Sequence, residues 1–204
     1  MRLAAVSVLL VLPWVAKAQI ATTRRIGVGV YAGGSFPLGE FRDSAKTGYH
    51  VAGLASARVN NILDVRIDVV FNKFSDKLLS EGPAFREVGT NLLFGTVGAE
   101  LRPDGTSATE SVRNRISPFL LAGVGAYRFH FDHVCRGLGC TGPEREQQSV
   151  TTWGLNIGAG AMVPLKGMRT FFQAGYHAML PNGKNWNTTL LLASFGLELP
   201  TNRR

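Results

Sequence analysis

Short stretches in which apolar and polar residues alternate recur along the chain, with turn residues between them. In VRIDVVFNKFSD (65–76), apolar residues occupy every second position near the start, and Arg66 and Asp68 lie between them. Successive side chains of an extended strand point to opposite faces, so one face of this strand is apolar and the other is charged. A soluble sheet buries its apolar face in a core, whereas a membrane barrel turns that face to lipid.

Eight such segments predict strands, and helical spacing is not found after residue 18. The predicted strands are residues 25–35, 49–59, 65–73, 91–102, 119–131, 152–165, 170–180 and 188–199. Residues 75–89 and 103–117 are predicted to be connections without strands, and Asn60-Asn61 and Lys166-Gly167-Met168 are predicted tight turns. Long connections at one end and short turns at the other are typical of an all-β, eight-stranded antiparallel up-and-down transmembrane β-barrel.

The first residues predict export. Arg2 precedes an apolar run over 3–15, and Ala16-Lys17-Ala18 has the small-x-small pattern of a signal peptidase site. The run is shorter than the ~20 apolar residues that a spanning helix needs. We therefore expect residues 1–18 to be a cleavable signal peptide and residues 19–204 to form one outer-membrane barrel domain.

The charge of the chain bears on its partners. The formal net charge is +8, but Lys and Arg do not form runs with interleaved aromatic residues, so no nucleic acid partner is expected. Scattered surface cations favour anionic lipid headgroups and lipopolysaccharide as neighbours. No cofactor is expected, because glycine-rich pieces such as GVGAYR and GAGAMV lie inside strands and lack the lysine of a phosphate loop.

Apart from Lys73 at a strand end, charged residues are predicted to lie on one face of the strands, which a barrel would turn toward its lumen. This predicted lumen network consists of Arg58, Arg66, Asp68, Glu100, Arg102, Arg128 and Glu198. An outward Arg or Lys at the bilayer midplane would cost ~2–4 kcal/mol, so lipid selects against charge on the opposite face. Small residues on the polar face fit the narrow lumen of an eight-stranded barrel.

Aromatic residues on the predicted apolar face lie toward the strand ends, which indicates girdles at the two headgroup levels. The predicted girdle consists of Tyr49, Phe71, Phe119, Phe129, Phe131, Trp153, Phe172 and Phe195. This distribution favours a membrane barrel over a soluble exported barrel that binds a ligand.

The predicted signal peptide, the eight amphipathic segments and GVYAGGSFPLGEFRDSAKTGYHVAGL resemble the small outer-membrane β-barrel proteins of Gram-negative bacteria, the OmpA/OmpX-like or "porin family" barrel domains. The resemblance covers essentially the whole chain after residue 18. It implies insertion in the bacterial outer membrane and a role ranging from envelope integrity to adhesion or passage of small solutes. One difference is that such barrels usually finish with an aromatic residue, whereas the last residues here are PTNRR.

The inward charges have two interpretations. They can fill the lumen as a plug that fixes the strand register, or they can form a salt-bridge gate for ions; the narrowness of an eight-stranded barrel favours the plug. We therefore expect a monomeric protein with a structural or surface-interaction role, whose long external loops meet surface or envelope partners. A narrow channel for small solutes is the alternative.

Cys135 and Cys140 lie in a predicted polar connection. In an oxidising compartment they are expected to form a disulfide, and Gly137 and Gly139 let the chain turn between them. Zinc binding, with His130, Asp132 and His133 nearby, is the alternative that the spacing leaves open.

Catalysis has little support in the sequence. His50 and His177 are predicted to point inward, but no nucleophile and base occur at a diagnostic spacing. We therefore expect no enzymatic activity. A lipid-modifying outer-membrane enzyme remains the less favoured interpretation.

Overall fold

A computed structural model describes residues 26–75, 77–81, 84–102, 116–136, 145–165, 167–180 and 188–201. The elements are β1 (Ile26–Leu38), α1 (Phe41–Ser44), β2 (Gly48–Arg58), β3 (Leu63–Phe74), β4 (Lys77–Glu81), β5 (Ala84–Leu101), β6 (Ser117–Arg136), β7 (Arg145–Leu165), β8 (Met168–Met179) and β9 (Thr188–Thr201). No helix in these ranges is long and apolar enough to cross a membrane. The predicted signal peptide lies outside the described residues.

Eight of the strands close into an antiparallel up-and-down barrel. Each barrel strand pairs with the next barrel strand along the chain. β4 is not part of the ring, so β3 pairs with β5. The ring closes where β1 pairs with β9, with Ile26 opposite Thr201. β4 pairs with residues 84–88 at the start of β5, outside the ring. We call the end with the longer connections the upper part of the barrel. The fold predicted from the alternating segments is therefore confirmed, and all eight predicted strands are present.

The wall of the barrel is apolar on the outside and polar on the inside. In β3 the alternation is complete from one end to the other, because one set of side chains is exposed and the other is buried. The exposed set is Val65, Ile67, Val69, Phe71 and Lys73, and the buried set is Asp64, Arg66, Asp68, Val70, Asn72 and Phe74. The predicted orientation of this strand, with its charges facing the lumen, is correct.

Two tight turns have clear local causes. At the β2–β3 turn, the side-chain Oδ1 of Asn60 accepts hydrogen bonds from the backbone N–H groups of Ile62 and Leu63, at 3.0 and 2.9 Å. An Asn side chain that bonds the backbone two or three residues on replaces the missing strand partner in a turn. At the β7–β8 turn, Gly167 has a φ of +79°, a conformation that glycine adopts without steric cost.

The connection predicted at 75–89 is wrong in part. It contains β4 and the first residues of β5, which pair with each other as a hairpin. β6 and β7 also run past their predicted ends, to Arg136 and from Arg145. Residues 147–150 of β7 are all exposed, so this extension has no buried face to produce alternation. Pairing with the neighbouring strand holds them, and a pattern of buried residues cannot reveal such pairing.

The faces predicted for β6 are reversed. Phe119 and Phe129 are buried in the lumen, at 2% and 5% exposure, and Phe131 packs against the same core from a partly buried position. The outward positions are instead Leu120, Val124, Arg128 and His130. Both faces of this strand are largely apolar, so alternation alone does not distinguish them. The prediction that placed Arg128 in the lumen, and these three phenylalanines in an outer girdle, is therefore wrong.

Large rings fit inside the narrow barrel because glycines face them. A Cβ atom on Gly160 would collide with the ring of Phe119, and one on Gly196 would collide with the ring of Phe171 and lie 2.6 Å from Cβ of Tyr31. Phe171 and Tyr31 contact each other edge to face, with ring centroids 5.9 Å apart. The lumen is therefore a packed core in which small and large residues are paired across strands.

The connection between β1 and β2 closes the barrel at the end with the longer connections. It contains α1, whose Phe41 is 5% exposed, and is followed by the buried Ala45. The Phe41 ring lies edge to face against Phe74 of β3 and Phe129 of β6, with centroids 5.2 and 5.8 Å apart. This segment therefore turns an aromatic ring down into the lumen.

Replacing Gly196 by Val should destabilise the barrel by about 1–3 kcal/mol, because the added carbons have no room beside Phe171. The matched control is Gly53→Val on β2, where an added Cβ meets nothing within 4 Å; its effect should stay within about 0.5 kcal/mol. Urea unfolding of the refolded proteins in detergent measures both. Equal stability of the two variants would contradict the packing described above.

Candidate functional site

The short-turn half of the lumen contains a continuous chain of ion pairs. Arg58 contacts Asp64 at 3.0 Å, and Asp64 contacts Arg102 at 2.8 Å. Arg102 contacts Glu100 at 2.7 Å, Glu100 contacts Arg66 at 3.3 Å, and Arg66 contacts Asp68 at 2.8 Å. Positive and negative side chains alternate along this ion-pair chain from Arg58 to Asp68. Each buried charge therefore has a partner of opposite sign, which burial of ions requires.

Arg66 connects this chain to the far wall of the barrel. Its Nη1 donates to Oε1 of Gln173 at 3.0 Å, and Gln173 is on β8, which lies opposite β3 in the eight-stranded ring. Its guanidinium carbon lies 5.5 Å from the centroid of the Tyr31 ring and 5.4 Å from that of Phe171. Tyr31 in turn donates its hydroxyl hydrogen to Asp68 at 2.9 Å. Side chains therefore span the full diameter of the lumen at this level.

A second set of polar side chains lies beside the ion-pair chain, on β2, β8 and β9. Glu198 accepts a hydrogen bond from Ser56 at 2.7 Å, and Arg169 approaches its other oxygen at 3.9 Å. Glu198 is 3% exposed, so Arg169 supplies the charge that balances it. With this pair included, the interior holds equal numbers of arginines and carboxylates among the described residues.

Most of the predicted network is brought together. Arg58, Arg66, Asp68, Glu100 and Arg102 belong to the ion-pair chain, and Glu198 belongs to the neighbouring pair. Arg128 is exposed on the outer wall and contributes nothing to it.

Two members of the interior charge set were not predicted from the sequence. Asp64 is the first charged residue of β3 and shares a face with Arg66, and Arg169 shares a face with Gln173 on β8. Both lie one residue before the predicted start of their strands. Extending those strands by one position would have found them, since alternation assigns both to the polar face.

Near the long-connection end the lumen is closed by uncharged groups. Ser35 donates to Oδ1 of Asn72 at 2.7 Å and lies 3.1 Å from Nδ1 of His50. His50 Nε2 is 2.8 Å from the hydroxyl of Ser194. Both ring nitrogens of His50 are therefore within hydrogen-bond distance of a buried serine hydroxyl.

Apolar side chains complete this layer. Val70, Leu92, Phe94, Tyr127 and Leu190 are 0–2% exposed. His177 meets the Tyr127 hydroxyl at 3.0 Å through Nδ1. Between the two layers, a cavity of about 20 Å³ borders Asp68, Asn156 and His177, which is enough for a single water molecule. The layers leave no wide aqueous path among the described residues.

Five of the predicted girdle residues face outward. Trp153 and Phe172 are 68% and 58% exposed, and the others are Tyr49, Phe71 and Phe195. Phe172 and Phe195 contact each other across β8 and β9, with centroids 4.8 Å apart. Tyr49, Phe71 and Trp153 lie toward the end with the longer connections.

The predicted disulfide between Cys135 and Cys140 lies partly outside the described residues. Cys140 lies outside the described residues, and Cys135 is placed only as a backbone position of β6 opposite Arg86. The disulfide therefore stays a prediction. Of the residues considered for zinc, His130 is exposed on the outer wall. Among the described residues, no group of three or more His, Cys, Asp or Glu side chains is arranged to hold a metal ion.

Comparison with known proteins bears on the fold. No family model matches the chain, and no curated protein sequence matches it. A major outer membrane protein from Thermus thermophilus superposes with a TM-score of 0.56 at 16% identity, over 86% of this chain and 99% of that one. The fold is that of small outer-membrane β-barrels. At this identity the likeness shows the fold alone.

Other solved structures superpose less closely. Ail of Yersinia pestis, solved with the heparin analogue sucrose octasulfate, has a TM-score of 0.47 at 14% identity, over 88% of this chain and 98% of that one. The N-terminal β-barrel domain of Pseudomonas aeruginosa OprF also has a TM-score of 0.47, at 13% identity, over 87% and 99% of the two chains.

Replacing Arg66 by Met should lower the free energy of unfolding by about 3–5 kcal/mol, because Asp68 and Glu100 would remain buried with one cation fewer. Arg42→Met on the exposed face of α1 is the control, with an expected change within about 0.5 kcal/mol. Urea unfolding in detergent measures both. An Arg66→Met protein as stable as the unmodified chain would mean that the ion-pair chain is not needed to hold the barrel together.

Proposed function

We propose that this chain is an integral protein of a bacterial outer membrane, with a structural or surface-interaction role. The observation that supports the proposal is the inverted wall: Val30 and Ile157 are 63% and 64% exposed on the outside, whereas Arg66 and Glu100 are each 2% exposed inside. In water such a continuous apolar wall would be an aggregation site. In a bilayer it is solvated by acyl chains, and the interior charges satisfy one another.

The lumen in this proposal is a plug and not a route for solutes. Two independent contacts support this. Near the short turns, Arg66 contacts Gln173 across the diameter of the lumen. At the end with the longer connections, the Phe41 ring of α1 packs between Phe74 and Phe129. A solute would have to break the buried ion pairs of Arg66 and displace Phe41 to pass. The narrow channel considered for the sequence has no comparable observation in its favour.

A non-catalytic role agrees with the placement of the histidines. His50 does lie beside a serine, but it is 1% exposed and is enclosed by Ser35, Asn72 and Ser194. His177 is 6% exposed and contacts Tyr127. A general base must reach the proton that it abstracts from a bound substrate, and neither imidazole is accessible to a lipid.

The surface-interaction part of the proposal rests on the strands that continue past the barrel. β4 and the upper parts of β5, β6 and β7 pair with each other beyond the last residues of β3, at the end with the longer connections. In outer-membrane barrels the longer connections are external. A paired sheet that projects from the barrel would present a fixed surface to envelope or external partners.

The first test is localisation and heat modifiability. The chain expressed with its first 18 residues should fractionate with outer membranes, and its gel mobility in detergent should change only after boiling, because a closed barrel resists detergent at room temperature. Arg66→Met should lose the folded band at a lower temperature than the unmodified chain. Recovery of the protein in the periplasmic supernatant would count against a membrane protein.

The second test is conductance in planar bilayers. The refolded chain should give no steady conductance, because both layers of the lumen are packed. Phe41→Ala should also stay closed, since it opens only the upper layer and leaves Arg66 and Gln173 in contact. Large and stable pores from either protein would contradict the plug and favour a channel.

A further inference from the structure

Among the strand residues whose side chains the structure describes, the outer wall carries charge at one place. Outward positions are apolar or uncharged on most strands, but Lys73 of β3 and Arg128 and His130 of β6 are exposed on the outside. They flank the middle of β5, close to the last residues of β3: Lys73 lies opposite Asn91, Asn91 lies opposite His130, and Arg128 lies opposite Leu93. We call Lys73, Arg128 and His130 the basic patch. By alternation, Asp132 follows on the same face nearer the strand end.

The members of the basic patch can reach a common ligand. Neighbouring strands are ~4.8 Å apart, so the backbones of Lys73 and His130, two strands apart, are separated by roughly 10 Å. Long Lys and Arg side chains can converge on an anion between them. No acidic side chain among the described residues forms an ion pair with Lys73 or Arg128. Within the part of the chain whose side chains are described, neither cation is neutralised, and both are exposed to a ligand on the outer wall.

An apolar depression adjoins the basic patch on the same wall. It has a volume of about 600 Å³, and its edge at Phe71 and Leu93 lies directly beside Lys73 and Arg128. Its other walls include Val51, Val69 and Phe195, and Gly53 leaves it open because it has no side chain. Cations at one end of an apolar depression are complementary to a lipid with an anionic headgroup and acyl chains.

We propose that the basic patch and this depression bind one phosphorylated glycolipid of the lipid A type, with a phosphate at Lys73 and Arg128 and an acyl chain over Gly53. The inference rests on the proposed function, because it requires the wall to face lipid. The basic patch lies toward the longer connections, which are external in outer-membrane barrels, and so it faces the leaflet that contains lipopolysaccharide. At the opposite end the exposed outward residues include Val59, Leu101 and Leu165, which are apolar.

The chemistry of the patch suits phosphate. The arginine guanidinium binds phosphate through two parallel hydrogen bonds, and lysine adds a point charge. An outward arginine at the bilayer midplane would be unfavourable, whereas at the headgroup level it is tolerated. The exposed Tyr49, opposite Lys73 on β2, is an aromatic residue of the kind that marks this level.

The test is lipid binding by the refolded full chain in detergent, measured by native mass spectrometry. The probes are bisphosphorylated lipid A, its dephosphorylated form and phosphatidylglycerol. Lipid A should bind more tightly than the other two. Lys73→Gln and Arg128→Gln should each weaken lipid A binding about fivefold, and both should leave binding of the dephosphorylated form unchanged. Arg42→Gln on α1, which removes the same charge away from the patch, should bind like the unmodified chain.

The depression is tested separately. Gly53→Leu should weaken binding of lipid A and of its dephosphorylated form alike, because it fills the space over Gly53. Ala55→Leu, two residues along the same outer face, is the control and should change neither. Unchanged lipid A affinity in both charge variants, or equal affinity for phosphatidylglycerol, would overturn the proposal, and unchanged binding by Gly53→Leu would remove the acyl chain from it.

Each variant is first checked for heat-modifiable mobility. A chain that does not form a detergent-resistant barrel would count against the proposed function. A chain that forms the barrel without preferring lipid A would count against the glycolipid site alone.

Discussion

Neutralising buried charge inside a closed cylinder is the constraint on which the rest of this structure depends. The wall can be apolar outside only if polar side chains are turned inward, and an eight-stranded barrel gives them little more than their own volume. Arg66 satisfies this constraint by contacting Asp68 and Glu100 along one wall and Gln173 on the opposite wall. One guanidinium therefore links β3 to its neighbour β5 in the wall and, through the lumen, to β8 on the opposite side.

Size complementarity acts together with charge. Gly196 and Gly160 make room for Phe171 and Phe119, and Phe171 in turn lies against the Arg66 guanidinium. A one-residue slip of a strand would move every side chain to the other face and break both kinds of match at once. Ring packing and ion pairing thus specify the same register. This agreement is what distinguishes one barrel from the many that alternation alone would allow.

Alternation predicted the number, order and pairing of the barrel strands because lipid and lumen impose opposite polarity on neighbouring residues. It placed β3 correctly, where Arg66 and Asp68 mark the inner face. Alternation failed in β6 because both faces of that strand are apolar, with Phe119 and Phe129 on one face and Leu120 on the other. Only the packing against neighbouring strands decides which of these faces is inside. Alternation also missed Asp64 and Arg169, which lie at strand ends, where a pattern has too few positions to fix a boundary.

Charge balance explains why Arg128 is outside. Among the described residues the interior arginines are Arg58, Arg66, Arg102 and Arg169, and the interior carboxylates are Asp64, Asp68, Glu100 and Glu198. A further inward arginine would have no carboxylate left to contact, and an unpaired buried cation is strongly unfavourable. It would also have to displace Phe129 from its contact with Phe41. The aromatic face of β6 is therefore the only one of its two faces that the lumen can accept. Arg128, on the other face, consequently lies on the outer wall, beside Leu93 and close to Lys73.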